Sequence, residues 1–381
     1  MGQTKVILGN PVDYLTSLSP ENPVLFFAPH ALQAKAAVFI GGFPGLVTYA
    51  VKANPADAVI ENLAAAGVRG FDVASPFEMR LIRRLVPDAA LHYNNPVRSV
   101  AEIAVAVDLG VVSYSVDSMS ELNKLIAGVP ASGVEISVRF KLPVGGAAYN
   151  FGAKFGATSE LAVTLLRKVA EAGFVPSLTF HAGTQCGEPR AWASYIHEAA
   201  RIARSAGVTI ARLNVGGGFP SQRSKAVTPD LQAIFGVIET VTTEAFGAER
   251  PALVCEPGRA LCADGFCVAT QVKAVRDGAH VFLNDGIYGT LTEFASVGAT
   301  DCVQVISPLG EARVGAQVAR PVFGPTCDSI DSLPDGMPLP DDLAEGDYVL
   351  FHGMGAYTTV TNTRFNGYGD VSVVTVLSLM S

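Results

Sequence analysis

Between residue 46 and about residue 258 the sequence alternates eight times between short apolar runs and amphipathic stretches, and nothing else in it restricts the fold as strongly. Residues 46–51, 70–73, 90–93, 111–116, 134–140, 178–181, 213–215 and 253–255 read as β-strands. Residues 56–66, 77–86, 121–126, 160–172, 191–206 and 231–246 have helical spacing. Ser75, Ser99 and Ser118 each stand three residues before a glutamate, Glu78, Glu102 and Glu121. At that spacing a serine N-cap and the glutamate satisfy each other's backbone donors, and Pro76 fits a first helical turn. Eight strands alternating with helices is the strand count of a closed (β/α)8 barrel, although an open doubly wound sheet would give a similar pattern. The punctuation favours the barrel. Polar residues and glycines follow the strands at Lys52–Asn54, Asp72–Ser75, Asn94–Asn95, His181–Thr184, Gly216–Gly218 and Glu256–Arg259. Loops in those places open on one face, where barrel enzymes carry their chemistry.

Beyond residue 261 the helical period fades, and β-rich runs appear at 265–274, 280–283, 302–305, 348–351 and 371–377. These predict a separate antiparallel β domain, sandwich-like or barrel-like, that recruits the chain before Ala28. The expected domains are 28–260 for the α/β barrel and 1–27 with 261–381 for the β domain. Residues 333–343, with Pro334, Pro338 and Pro340, read as a loop. The 49% hydrophobic and 16% charged composition suits a large core. A net charge of -8 without a long run of either sign argues against a nucleic-acid partner. The six cysteines, at 186, 255, 262, 267, 302 and 327, have no metal-ligand spacing and read as free thiols of a reducing compartment. No apolar run has the length of a membrane span and the start lacks a secretory pattern, so the expectation is a cytoplasmic protein with no metal and no membrane partner.

Several residues carry candidate chemistry. Lys52 ends the first strand-like run before Asn54-Pro55; taken alone, it reads as a strand-end lysine reaching water. Gly216, Gly217 and Gly218 make either a tight turn or a backbone cradle for a phosphate, and match neither the dinucleotide pattern nor a P-loop. Glu256 and Arg259 form either a surface ion pair or an acid for a pyridine nitrogen and a base for a phosphate. His181 is either structural or a flat ring for a planar cofactor. Cys327, beside Asp328 and Asp331 after Gly324-Pro325, is a thiol in an acidic loop or a proton donor beside a pocket for an ammonium group. Tyr357 serves core packing or hydrogen bonds a phosphate.

Together these motifs resemble the pyridoxal-phosphate decarboxylases with an alanine-racemase-like barrel, the family of ornithine, lysine, arginine and diaminopimelate decarboxylases. Tyr49-Ala50-Val51-Lys52-Ala53-Asn54 is similar to the family's cofactor-lysine motif, and the Gly216 triplet and Glu256–Arg259 to its phosphate and pyridine motifs. The stretches 284–289, 324–331 and 353–367 look most like the ornithine branch. The resemblance implies a PLP-binding TIM-like barrel plus a C-terminal β domain. Lys52 would hold pyridoxal 5'-phosphate covalently, with Glu256 at the ring nitrogen and His181 stacked on the ring. Asp72 and Arg139 would support them, and Gly216, Gly217, Gly218, Thr184, Arg259 and Tyr357 would hold the phosphate. Cys327 would reprotonate Cα, and Asp328, with Tyr288, would receive the substrate's distal ammonium. In the family Cys327 and Asp328 come from the other subunit of a head-to-tail homodimer. The implied reaction is L-ornithine to putrescine or L-lysine to cadaverine, in polyamine biosynthesis. Val297 stands where the ornithine branch carries a second acid, which opens a modified diamino acid as the substrate. A non-catalytic regulatory protein of the same fold is a further alternative, and a racemase fits the Cys327-Asp328 motif less well.

Overall fold

The computed structural model describes residues 8–143, 154–298, 300–333 and 336–380. Residues 1–7 and Pro334, for which the sequence suggested a β domain and a loop, lie outside the described residues. The chain divides into two compact units: one takes Ala36–Pro220 and Pro229–Leu261, the other the residues up to Lys35, Ser221–Thr228 and the chain from Cys262 onward. Strand β1 (Val24–Phe27) belongs to the second unit.

The first unit is a closed parallel barrel of β2 (Leu46–Ala50), β3 (Gly70–Val73), β4 (Ala90–Tyr93), β5 (Ser113–Val116), β6 (Glu135–Arg139), β7 (Val175–Thr179), β8 (Arg212–Asn214) and β9 (Ala252–Cys255). The eight strand-like runs therefore close into a barrel and do not form an open sheet. Strand alternation sorts the residues: Asp72 pairs with His92 and Phe71 with Leu91, so polar and apolar side chains leave opposite faces of the same strands. The polar row, Thr48, Asp72, His92, Ser115, Ser137 and Ser177, is buried. Phe71, Leu91, Tyr93, Ile136, Leu178 and Leu213 make the apolar row.

The first barrel strand is one residue shorter than its apolar run suggested. Val51, Lys52 and Ala53 form a 3-10 turn, closed by the Asn54 N–H donating to the Val51 carbonyl at 3.1 Å. The buried Tyr49 hydroxyl donates to the Asn54 carbonyl at 3.0 Å, and the Asn54 side chain accepts from the Ala56 N–H at 3.1 Å. These bonds compete with continuation of the strand. All three serines do cap helices, but only Ser99 and Glu102 bond reciprocally. Glu78 reaches past its cap to the Ala74 N–H, and Glu121 pairs with Lys124 and the Arg98 N–H. Pro29–Gly42 is a helix the periodicity did not reveal: Leu32, Ala36 and Phe39 are its buried stripe, but exposed Val38 and Ile40 blur it.

In the second unit β10 (Phe266–Arg276), β11 (His280–Leu283), β12 (Val303–Ile306), β14 (Val322–Phe323), β16 (Tyr348–His352) and β17 (Ser372–Thr375) join β1 in one sheet. Most pairs are antiparallel; β1 with β17 and β11 with β14 are parallel. Val24, Phe26, Cys267, Ala269, Leu350 and Leu15 are among its core. The proline-rich stretch is not all loop. Met337–Pro340 is a strand, β15, paired antiparallel with β13 (Gln317–Arg320). Its prolines alternate, so Pro338 and Pro340 both lack an N–H on the side away from β13, while the Asp341 N–H, in phase with Met337 and Leu339, bonds the Ala316 carbonyl at 2.9 Å. No helix among the described residues is long and apolar enough to cross a membrane.

Candidate active site

The C-terminal ends of the barrel strands deliver the polar side chains. Lys52 follows β2, Asp72 lies in β3, Asn94 follows β4, Arg139 ends β6, His181 follows β7 and Glu256 follows β9. All six line one cavity of about 490 Å³. The parallel strands start each loop from the same face, so residues distant in sequence converge there.

Electrostatics in this cavity are set by burial. The carboxyl of Glu256 is pushed up to about 8, first by loss of water and then by the nearby charge of Asp72; the Asn214 amide, Lys52 and Arg139 act the other way. Burial likewise raises Asp72, against the pull of Lys52 and Arg139. Two like charges stripped of water favour the neutral form. His181 is held well below the usual histidine range by burial, then by the positive charges of Arg139 and Lys52. Its Nδ1 accepts the Gly183 N–H at 3.0 Å, so the neutral ring carries its hydrogen on Nε2.

The glycine triplet packs directly behind this histidine. Gly216 and Gly218 have φ of +70° and +86°, and a Cβ on either would collide with a backbone carbonyl oxygen, of Phe180 and Gly183 respectively. A Cβ on Gly217 would stand 2.7 Å from the Glu256 carbonyl oxygen and 3.3 Å from His181 Nε2. The Gly218 carbonyl accepts the Cys186 N–H at 2.9 Å, which joins the Thr184 loop to the turn. Arg259 opens the short helix Arg259–Cys262 directly after the Glu256 turn. Lys52, Asp72, Arg139, His181 and Glu256 line the cavity and the triplet packs against His181 and Glu256, whereas Thr184 and Arg259 stand on the adjoining loops and are not among the lining residues.

The sequence reading did not single out Asn94 and Asn214, whose amides both donate to Glu256 Oε1. A signal was present: Asn214 interrupts the apolar run 213–215 two residues before Gly216, and Asn94 is the first residue after its strand.

In the second unit Cys327 is exposed, and its N–H donates to the Asn366 side chain at 3.1 Å. Asp328 accepts the Tyr288 hydroxyl at 2.7 Å and the Ile330 N–H at 3.1 Å, and these bonds hold its carboxyl below the usual range. Buried Asp331 shapes the loop by accepting from the Ile287 and Thr326 N–H groups. Tyr357 adopts a left-handed φ of 60°. No group of three or more His, Cys, Asp or Glu side chains among the described residues is placed to hold a metal ion.

Pyridoxal phosphate fits the barrel cavity by its chemistry: an amine for its aldehyde, a carboxylate for its ring nitrogen, a neutral flat ring for its face, and a turn of three glycines without side chains for its phosphate. Residues 30–263 match the pyridoxal-binding domain of the pyridoxal-dependent decarboxylases. A lysine/ornithine decarboxylase of Selenomonas ruminantium is 32% identical over 330 residues, 84% of this chain and 81% of that protein. The structure of a lysine/ornithine decarboxylase from Vibrio vulnificus, complexed with cadaverine, is 27% identical with a TM-score of 0.79, covering 94% of this chain and 93% of that one. The arginine decarboxylase of Paramecium bursaria Chlorella virus, bound to agmatine, shares the fold with a TM-score of 0.85 at 24% identity, covering 95% of this chain and 98% of the viral one. This chain belongs to the pyridoxal-dependent decarboxylases and is a PLP-dependent carboxy-lyase.

Proposed function

We propose that the protein decarboxylates a basic L-amino acid, L-ornithine to putrescine or L-lysine to cadaverine, as a homodimer serving polyamine biosynthesis. The observation that carries this reading is the meeting of Lys52, His181 and Glu256 in one cavity, together with an ionised Asp328 held by Tyr288. Pyridoxal phosphate, when bound, supplies a sink for the electron pair released as the Cα–carboxylate bond breaks. Lys52 Nζ holds the cofactor and yields its place to the substrate amine. Glu256 keeps a proton on the ring nitrogen. His181, neutral, lies against the ring without adding charge, and Asp72 and Arg139 balance the charge around Lys52. The turn of Gly216, Gly217 and Gly218 holds the phosphate with Thr184, Arg259 and Tyr357; the Gly216 N–H is bonded to Asn214, so the donors of the turn are the N–H groups of Gly217 and Gly218. Cys327 Sγ returns a proton to Cα, and Asp328 receives the distal ammonium, both supplied by the second subunit of the dimer.

The test is a panel of free basic amino acids given to PLP-loaded protein, with carbon dioxide and diamine measured together. Putrescine or cadaverine is expected in step with carbon dioxide. No release from ornithine, lysine or arginine would overturn the substrate class. Val297, half-buried in the short helix Phe294–Val297, motivates a second reading, a diamino acid whose distal amine is modified. Robust turnover of free ornithine counts against it.

A further inference from the structure

Glu256 presents its two oxygens to different surroundings. Oε1 accepts the side-chain amides of both Asn94 and Asn214, which leaves Oε2 as the oxygen these two amides do not occupy. The orientation of each amide is fixed by its other partners. Asn214 Oδ1 accepts the Gly216 N–H at 2.9 Å; a backbone N–H can only donate, so the amide oxygen faces Gly216 and Nδ2 faces Glu256. Asn94 also faces Asp72, whose carboxyl it helps to hold down, and ionised carboxylates only accept, so its amide nitrogen is turned toward the acids. Asn214 is 4% exposed and Asp72 5%, which leaves little room for water to substitute for these donors.

The residue type matters. Lysine or arginine in either position would neutralise Glu256 and compete with a cationic ring for it, whereas an amide donates a hydrogen bond and brings no charge. A carboxylate stripped of water and placed beside another acid gains a proton readily; hydrogen bonds to its ionised form oppose that. We propose that Asn94 and Asn214 are positioning residues that together occupy one oxygen of Glu256 and aim the other, its charge intact, at the ring nitrogen of the bound cofactor. Asn214 also ties Glu256 to Gly216, so a single side chain links the partner of the ring nitrogen to the turn that holds the phosphate. The proposal rests on the reading of Glu256 as the partner of the ring nitrogen.

Its test uses Asn94→Ala and Asn214→Ser, each alone and combined with Glu256→Gln. Serine keeps an acceptor for the Gly216 N–H but is too short to reach Glu256. The proteins are loaded with PLP labelled at the ring nitrogen, and protonation of that nitrogen is followed by NMR against pH, alongside the Kd for PLP. Without an amide the proton passes more readily from the ring to Glu256, so each single variant should lose it about one pH unit earlier, a tenfold change in the equilibrium. In the Glu256→Gln background neither substitution should add a further shift. An unchanged ring titration in the single variants, or an equal shift in the Gln background, would overturn the positioning role. If Glu256→Gln alone leaves the ring titration as in the wild type, the reading of Glu256 fails, and the proposal with it. Asn94→Ala leaves the bond between Asn214 and the Gly216 N–H intact, so it decides the matter should Asn214→Ser fold poorly.

Discussion

Lys52 illustrates what a single residue reveals and conceals. Its place after an apolar run and before Asn54-Pro55 was legible, but a strand-end lysine and a cofactor lysine look alike until neighbours from five other strands surround them. Lys52→Ala is expected to abolish covalent cofactor attachment, checked by borohydride reduction and peptide mapping, which should recover the adduct at Lys52 in the wild type alone. The glycine turn behind His181 makes a different demand. At Gly218 a methyl group meets the Gly183 carbonyl oxygen, and the backbone φ of +86° is itself unfavourable for alanine. Gly218→Ala should therefore cost roughly 1–3 kcal/mol and weaken PLP binding, measurable by denaturation of the cofactor-free protein and by titration with the cofactor.

Elements were legible where two independent signals agreed. The strands β3 and β4 begin and end where their apolar runs do, because glycine and polar residues bound them closely. The helix Pro29–Gly42 escaped notice because apolar residues appear on its exposed side too, and β15 because a strand with alternating prolines resembles a loop in sequence. Capping shows the same limit: the serine–glutamate spacing located three helix starts, but the partner of each glutamate depends on tertiary neighbours. Ser99→Ala, which breaks the one reciprocal pair, should cost about 1 kcal/mol in urea unfolding. Within β4, His92 is 4% exposed and its pKa is pushed down from 6.5 to about 4 by burial and then by the charge of Arg212. The unfolded chain binds a proton there more readily. Its contribution is thus complete above about pH 6.5 and lost as the pH falls toward 4, a change of about 3 kcal/mol. In His92→Gln the acid branch of the stability curve should be shallower by about one proton; an identical slope would exclude His92 as its source.

For the whole molecule, the proposed shared-site dimer makes a quantitative prediction. Mixing inactive Lys52→Ala with Cys327→Ala subunits should restore diamine formation to about a quarter of the wild-type level, because each mixed dimer regains one intact site of its two. No recovery after subunit exchange would place Lys52 and Cys327 of one site in the same subunit. The barrel was legible from its strand count and the β unit from its loss of helical period, whereas the assignment of Ser221–Thr228 to the second unit depends on contacts that no local pattern encodes. One consequence concerns the order of synthesis. β1 is buried along its whole length, yet the strands that flank it, β10 and β17, lie more than two hundred residues downstream. All eight barrel strands emerge from the ribosome before either neighbour does, so Val24–Phe27 spends most of translation as an unpaired apolar segment. Val24–Phe27 is therefore a site of mispairing until β10 and then β17 are made to cover its two edges.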